Sequence, residues 1–221
     1  MKYDSMSKKI LNIILLGPAG SGKGTQAEFL IKKYNLQKIE AGELVRQKAK
    51  ENSELGKKVH KIHKSGRHCP DKIMLGLVQE AFRKIKTKRG ILVDGYPRTI
   101  GQARDLDKLM NNSRIQGEIY AIWINVGNKE SLRRLLNRSA CSRCKTVFAG
   151  RNKKKCPKCS GEIVVRDYDI DGVAIRKRLS WFDEKVMPAI EYYREKDMLI
   201  KVNGEQPVKK VFKDILKKLK I

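Results

Sequence analysis

The chain has 221 residues, of which 40% are hydrophobic, which suits one sizeable folded core with insertions rather than two independent domains. Fifty Lys and Arg against 24 Asp and Glu give a formal net charge of +26, which points to polyanionic partners or phosphate-bearing ligands. No apolar stretch reaches transmembrane length, which argues against a membrane-spanning helix.

Lys8 and Lys9 ahead of the apolar run Ile10–Leu16 faintly resemble a signal peptide. The run is short, is interrupted by Asn12, and ends in a glycine-rich loop instead of a small-residue cleavage site, so a cytoplasmic protein is expected. The run itself reads as a strand, and 24–34 as a helix. Residues 41–52 and 54–65 read as two short polar helices. Pro70, with Asp71 beside it, opens another helix to about Lys86. Ile91–Asp94 is a short buried strand, 99–110 a helix, 119–126 a strand and 129–137 a helix. After a cysteine-bearing insertion, a long helix is predicted over 172–196, bent near Pro188. A strand at 198–202 and a helix at 208–220 complete the chain. This alternation implies an α/β fold with a parallel sheet wrapped by helices.

The loop Gly17-Pro18-Ala19-Gly20-Ser21-Gly22-Lys23-Gly24-Thr25 fits G-x-x-x-x-G-K, with a glycine inserted before the usual Ser or Thr. It lies between a predicted strand and a predicted helix, the context that distinguishes a phosphate cradle from a chance match. Its glycines let successive N–H groups face phosphate oxygens; the helix N-terminus adds partial positive charge and Lys23 a full one.

Cys141-x-x-Cys144 and Cys156-x-x-Cys159 are separated by eleven residues. Paired knuckles of this kind make a tetrahedral four-thiolate zinc site spanned by a hairpin, with Gly161 suiting a tight turn. Disulfides or a redox pair are the alternatives. A cytoplasmic chain disfavours the first, and a second copy of the motif disfavours the second. With no open coordination position the role is structural. Cys69 stands apart as a small buried residue, and His60, His63 and His68 lie in a polar segment.

Asp94-Gly95-Tyr96-Pro97-Arg98 follows a predicted strand. An Asp at the C-terminal end of a strand beside the phosphate loop is where Mg²⁺ is held. Gly95 permits close backbone approach, and Arg98 can fork two phosphate oxygens. Arg46, Arg134, Arg138, Arg166, Arg176 and Arg178 flank this region or the cysteine insertion. Converging arginines suit phosphoryl transfer, which spreads charge over equatorial oxygens.

GPAGSGKGTQA, AGELVR, GILVDGYPRTIGQA and the four-cysteine insertion together resemble the adenylate kinases, of the long type with a zinc-bearing lid, from Ile10 to about Val208. The resemblance implies the P-loop nucleoside monophosphate kinase fold: a parallel five-stranded sheet flanked by helices, with a helical AMP-binding insertion and a zinc-bearing lid. It implies a core of residues 1–39, 70–136 and 170–221, an AMP-binding part at 40–69 and a lid at 137–169. The implied activity is reversible, Mg²⁺-dependent transfer from ATP to AMP giving two ADP. Gly20, Ser21, Gly22, Lys23, Gly24 and Thr25 would wrap the ATP phosphates, with Lys23 at the transferring group and Asp94 at the metal. Arg134 and Arg138 precede the first knuckle, and Arg166 and Arg178 follow the second; these would clamp phosphates as the lid closes. Arg46, Arg98 and Gln102 would bind AMP, with Gln102 reading the adenine edge. Ala41, Gly95, Tyr96 and Pro97 would lie alongside, and Arg67, His68 and Cys69 would form the base wall. Asp169 would partner the lid arginines, and Cys141, Cys144, Cys156 and Cys159 would hold Zn²⁺.

The chain departs from the family pattern in places. Ala41 stands where a Thr is usual, Asn137 where a lid-hinge Gly is usual, and Ser139 where an Arg is often found. Gln206 occupies the place of a Lys at the ATP adenine pocket. A related kinase with another donor or acceptor base, such as GTP, UMP or CMP, is the first alternative; Gln102 and the long lid favour AMP. A basic zinc-ribbon nucleic-acid binder is the second. The lysines are spread along the chain, densest at 153–155 and 209–220, and aromatics are 6% and not interleaved with them, so specific nucleic-acid binding is not expected. The enzyme is expected to act as a monomer.

Overall fold

The computed structural model describes residues 10–65, 67–85, 89–112, 115–166 and 169–219. Its centre is a five-stranded parallel sheet of β1 (Leu11–Leu16), β2 (Gln37–Glu40), β3 (Ile91–Asp94), β4 (Glu118–Asn125) and a late strand, Leu199–Asn203. In space the order is β2-β3-β1-β4 followed by the late strand, all pairs parallel.

Every residue of β1 is buried, as a central strand covered on both faces must be. Its side chains alternate. Ile14 and Leu16 join a cluster with α4 (Asp71–Arg83), α5 (Ile100–Asn112) and α8 (Met187–Glu195). Leu11, Ile13 and Leu15 join the opposite cluster, with α1 (Lys23–Tyr34) and α9 (Val208–Lys218). The polar interruption Asn12 is fully buried. Its amide donates to Gln116 O at 3.0 Å and accepts the Ile91 N–H at 3.2 Å, so it ties three segments together.

Between β2 and α4 lie α2 (Ala41–Lys48) and α3 (Glu54–Lys64), the latter capped by Ser53, which accepts the Gly56 N–H. After β4, α6 (Asn128–Leu136) leads into the cysteine insertion. The insertion is a three-stranded antiparallel sheet of β5 (Arg138–Cys141), β6 (Val147–Ala149) and β7 (Ile163–Val164), ordered β6-β5-β7, rather than a simple hairpin. The chain then runs through α7 (Gly172–Trp181) to α8, and the late strand is β8.

Three details differ from the sequence expectations. The periodicity picks out four sheet strands but not β2, which has a single buried apolar residue, Ile39, because an edge strand needs little. The long helix is interrupted by a π turn at Phe182–Val186, just ahead of Pro188, whose missing N–H and ring disturb the preceding turn. The positive φ at the second knuckle falls on Ser160, not Gly161. The predicted helix ends at Lys86 and Lys220 lie outside the described residues. Among the described residues no helix is long and apolar enough to cross a membrane.

Candidate active site

β1 delivers the chain into the glycine loop at the C-terminal edge of the sheet, the edge at which open α/β sheets bind ligands. Gly22 caps α1 in the left-handed region at φ 90°, and no side chain occupies the helix start. Gly17 has no room for a side chain: a Cβ there would stand 2.6 Å from Ile124 O. Ser21 is buried, while Gly24 and Thr25 line the start of α1.

Lys23 folds over its own loop, donating to Gly17 O at 2.5 Å, Pro18 O at 2.8 Å and Ser21 Oγ at 3.4 Å. Burial pulls its ammonium down to about 8; Asp94 raises it again, and Arg98, Arg138 and Arg178 press it lower. The loop lysine, the carboxylate ending β3 and three arginines from separate segments therefore share one electrostatic environment. Burial in turn raises Asp94's carboxyl, with Lys23 opposing. Asp94 pairs with Leu15 across the sheet, which sets it beside the strand that feeds the loop.

Arg138, which opens β5, and Arg178, on α7, meet at Asp169. This fully buried carboxylate accepts Arg138 Nε at 2.9 Å and Nη2 at 2.5 Å, and Arg178 Nη1 at 3.0 Å. Arg166 acts electrostatically on Arg138. Arg134 forms an ion pair with Glu130 at 2.6 Å and donates to Gly204 O at 2.9 Å, so it links α6 to the loop after β8. Arg176 is exposed on α7, two positions from Arg178 and therefore on another face. Gln206 donates to Asn203 O at 3.0 Å and to Asp214 at 2.9 Å, so its amide is engaged by its own loop and α9.

Beyond Asp94 lies a cavity of about 160 Å³, partly open to solvent. Ala41, Arg46, Arg67, His68, Cys69, Gly95, Tyr96, Arg98 and Gln102, singled out from the sequence, all line it. Pro97 follows a cis peptide bond from Tyr96 and is buried beneath. Arg46 is paired with Glu40 at 3.1 Å. Arg98 donates through Nε to Gly95 O at 2.9 Å and through Nη1 to His68 Nδ1 at 3.0 Å. Since a guanidinium only donates, His68 accepts as a neutral imidazole. Burial, with Arg98 and Arg178 nearby, lowers that ring to about 4, which keeps it neutral. His68 also stacks on Trp181, ring centroids 3.8 Å apart. The sequence reading missed Trp181 and Asp71 as cavity residues. Asp71 was noted only as a helix-start residue, and neither carries a motif.

The four cysteines fit a single metal. Their Sγ atoms lie within 4.8 Å of one another, with Cys141–Cys159 at 3.5 Å and Cys144–Cys156 at 3.6 Å. Tetrahedral thiolates at a zinc–sulfur length of about 2.3 Å stand about 3.8 Å apart, close to these values. Each knuckle ends in a left-handed residue, Lys145 at φ 61° and Ser160 at φ 57°. Gly161 is required by packing, because a Cβ there would meet Cys141 Sγ at 2.9 Å. Of the departures from the family pattern, Ser139 is buried and donates to Gly150 O at 2.7 Å, and Asn137 donates to Arg133 O at 3.0 Å.

Comparison with known proteins agrees with this arrangement. The family model described as adenylate kinase matches residues 15–198. The chain is 34% identical to an adenylate kinase of Methanocella arvoryzae, over 93% of this chain and 96% of the relative. It is 36% identical to that of Thermosipho africanus, over 93% and 98%, and 36% identical to that of Syntrophomonas wolfei, over 95% and 99%. A glycine loop with its lysine, an aspartate at the next strand end and a family match over most of the chain lead to one conclusion: the chain belongs to the adenylate kinase family and is an ATP:AMP phosphotransferase, a nucleoside monophosphate kinase.

Proposed function

We propose that the reaction runs between two pockets that meet at Lys23. ATP phosphates lie along Gly20–Thr25, and AMP occupies the cavity lined by Arg98 and Gln102. The observation that carries this reading is the convergence of Asp94, Arg98, Arg138 and Arg178 on Lys23.

The acceptors that Lys23 holds are neutral oxygens. Anionic phosphate oxygens make stronger partners, so Lys23 would turn to the transferring phosphoryl group. An oxygen of the AMP phosphate bonds to the γ-phosphorus while the bond to the β–γ bridging oxygen breaks, leaving ADP on both sides. The attacking oxygen is already anionic, so no general base is needed. Arg98 would hold the AMP phosphate. Arg134, Arg138, Arg166 and Arg178 would offset the charge spread over the equatorial oxygens. Asp94 would supply the hard carboxylate oxygen suited to the Mg²⁺ that accompanies ATP, whose charge would offset that of the phosphates.

Residues 40–69 would form the AMP-binding part and 137–169 the lid, the remainder being the core. Closure of the lid excludes water, so the phosphoryl group passes to AMP instead of to solvent. Cys141, Cys144, Cys156 and Cys159 would hold Zn²⁺ as a structural centre. Gln102 would read the adenine edge of AMP, beside Ala41, Gly95 and Tyr96, with Arg46 toward the phosphate and Arg67, His68 and Cys69 along the base wall. On the ATP side the backbone near Gln206 would meet the base, since its amide is engaged elsewhere. We place the enzyme in the cytoplasm, acting as a monomer, since one chain supplies every group named.

A coupled assay over a panel of donors and acceptors tests this reading. ATP with AMP is expected to be the fastest pair. Faster turnover with UMP or CMP than with AMP overturns the acceptor assignment.

A further inference from the structure

Gln102 is buried at 4% exposure, and both ends of its amide are already held. Its Oε1 accepts the backbone N–H of Arg98 at 2.7 Å. Its Nε2 donates to Asp71 Oδ1 at 2.8 Å, and the other Asp71 oxygen accepts the Thr99 hydroxyl at 2.7 Å. A backbone N–H only donates and a carboxylate only accepts. A flipped amide would set NH₂ against the Arg98 N–H and oxygen against the carboxylate, so a single orientation is allowed.

That constraint bears on base choice. An amide has two nitrogen-bound hydrogens and two oxygen lone pairs, and one of each is spent on protein. The remainder is one N–H and one lone pair, in a residue lining the cavity. Adenine offers the complementary pair, N1 as acceptor and the 6-amino group as donor. Hypoxanthine reverses both, with N1–H as donor and O6 as acceptor. A glutamine free to flip would satisfy either base; one that cannot flip satisfies adenine alone.

We infer that Asp71 is a positioning residue that, together with the Arg98 backbone N–H, makes this enzyme choose 6-aminopurine over 6-oxopurine monophosphates, by locking the Gln102 amide in one orientation. The inference rests on the reading that Gln102 contacts the acceptor base. Asp71 touches no reacting atom; it acts through Gln102, from the first turn of α4, thirty-one residues earlier in the chain. A like charge-free partner would not do the same. Asparagine in its place could turn its own amide to match either orientation of Gln102, which would leave the Arg98 N–H to oppose the flip by itself.

The experiment measures kcat/KM for AMP and for IMP with ATP as donor, alongside thermal midpoints. Asp71→Asn is expected to lower the AMP-over-IMP preference about tenfold, mostly by raising turnover on IMP. Asp71→Glu, which keeps an acceptor-only group, is expected to retain more of the preference than Asp71→Asn. Should Asp71→Asn fail to fold, Asp71→Ser carries the same expectation, because a hydroxyl both donates and accepts. Gln102→Leu is expected to collapse the preference whatever stands at 71. If Gln102→Leu collapses it while Asp71→Asn leaves it unchanged, or Asp71→Asn lowers both substrates equally, the lock is overturned and the base-reading role of Gln102 stands. If Gln102→Leu leaves the preference intact, the base-reading role falls and the lock with it.

Discussion

The parallel sheet and the cysteine-bearing sheet are held together by different physics. In the first, β1 is buried along its whole length, with aliphatic side chains entering clusters on both faces. Each such side chain contributes roughly 1.5–3 kcal/mol on burial. In the second, strands of four, three and two residues leave Val147 and Val164 partly exposed, at 45% and 36%, and the buried residues are chiefly small or cysteine. Little apolar surface is covered there to offset the entropy of ordering the backbone, and the proposed binding of a metal by the four thiolates would supply the difference. A segment of this kind can be attached to a core and swing against it without exposing a hydrophobic interior. Asp169 is fully buried and accepts from Arg138 of the small sheet and from Arg178 of α7, so it ties the two regions together.

The sharpest way to separate the regions is to damage the chemistry while sparing both. Lys23→Met is expected to lower kcat by at least about 10²–10³-fold, with the thermal midpoint and zinc content retained. Near-normal turnover would remove the phosphate-loop role of Lys23. Cutting the joint comes next. Asp169→Ala leaves Arg138 and Arg178 without their shared carboxylate, at a cost of about 3 kcal/mol, and should lower kcat as well. A variant with unchanged stability and turnover would show that the two regions do not communicate through this residue.

Removing the metal tests the contrast itself. Cys144→Ser, or chelation of the wild type, is expected to lower the thermal midpoint and zinc content, with a smaller effect on turnover near 25 °C. A wild-type protein purified without zinc and equally stable would show that the small sheet holds itself together. The mildest perturbation is pH. Lys23 loses its proton as pH rises through about 8, so ATP binding should weaken between pH 7 and 9. Phosphate beside the ammonium holds the proton, so the corresponding limb of kcat should lie at higher pH than that of kcat/KM. For stability the sign is opposite: between about 8 and the usual 10.5 the unfolded chain binds more protons, so the penalty for burying Lys23 shrinks as pH rises. ATP affinity that is flat from pH 7 to 9 would contradict the lowered value.

Much of this protein was legible in one dimension, for identifiable reasons. The glycine loop, the paired cysteine knuckles and Asp94–Arg98 are local: their chemistry depends on residues a few positions apart and on the strand or helix on either side. The apolar runs for β1, β3 and β4 report burial directly, because a strand covered on both faces tolerates little else. The two edge strands differ: β8 carries Leu199, Ile200 and Val202 and was legible, whereas β2 has Ile39 as its single apolar residue and shows no such run. The bend before Pro188 was visible, but its form, a π turn five residues long, depended on how α7 and α8 pack.

Only the tertiary structure decided the polar networks. Asp71 and Gln102, and His68 and Trp181, are separated by 31 and 113 positions in the chain, and no periodicity or spacing links them; the pairing of Asp169 with Arg138 was expected from the family resemblance alone. Hydrogen bonds and stacked rings have a reach of a few ångströms, so which groups they join is settled after the helices have docked on the sheet. The sequence by itself determined which chemistry this chain carries. The packing decided which side chains aim it, because orientation of a buried amide or guanidinium is set by neighbours that lie close only in the folded molecule.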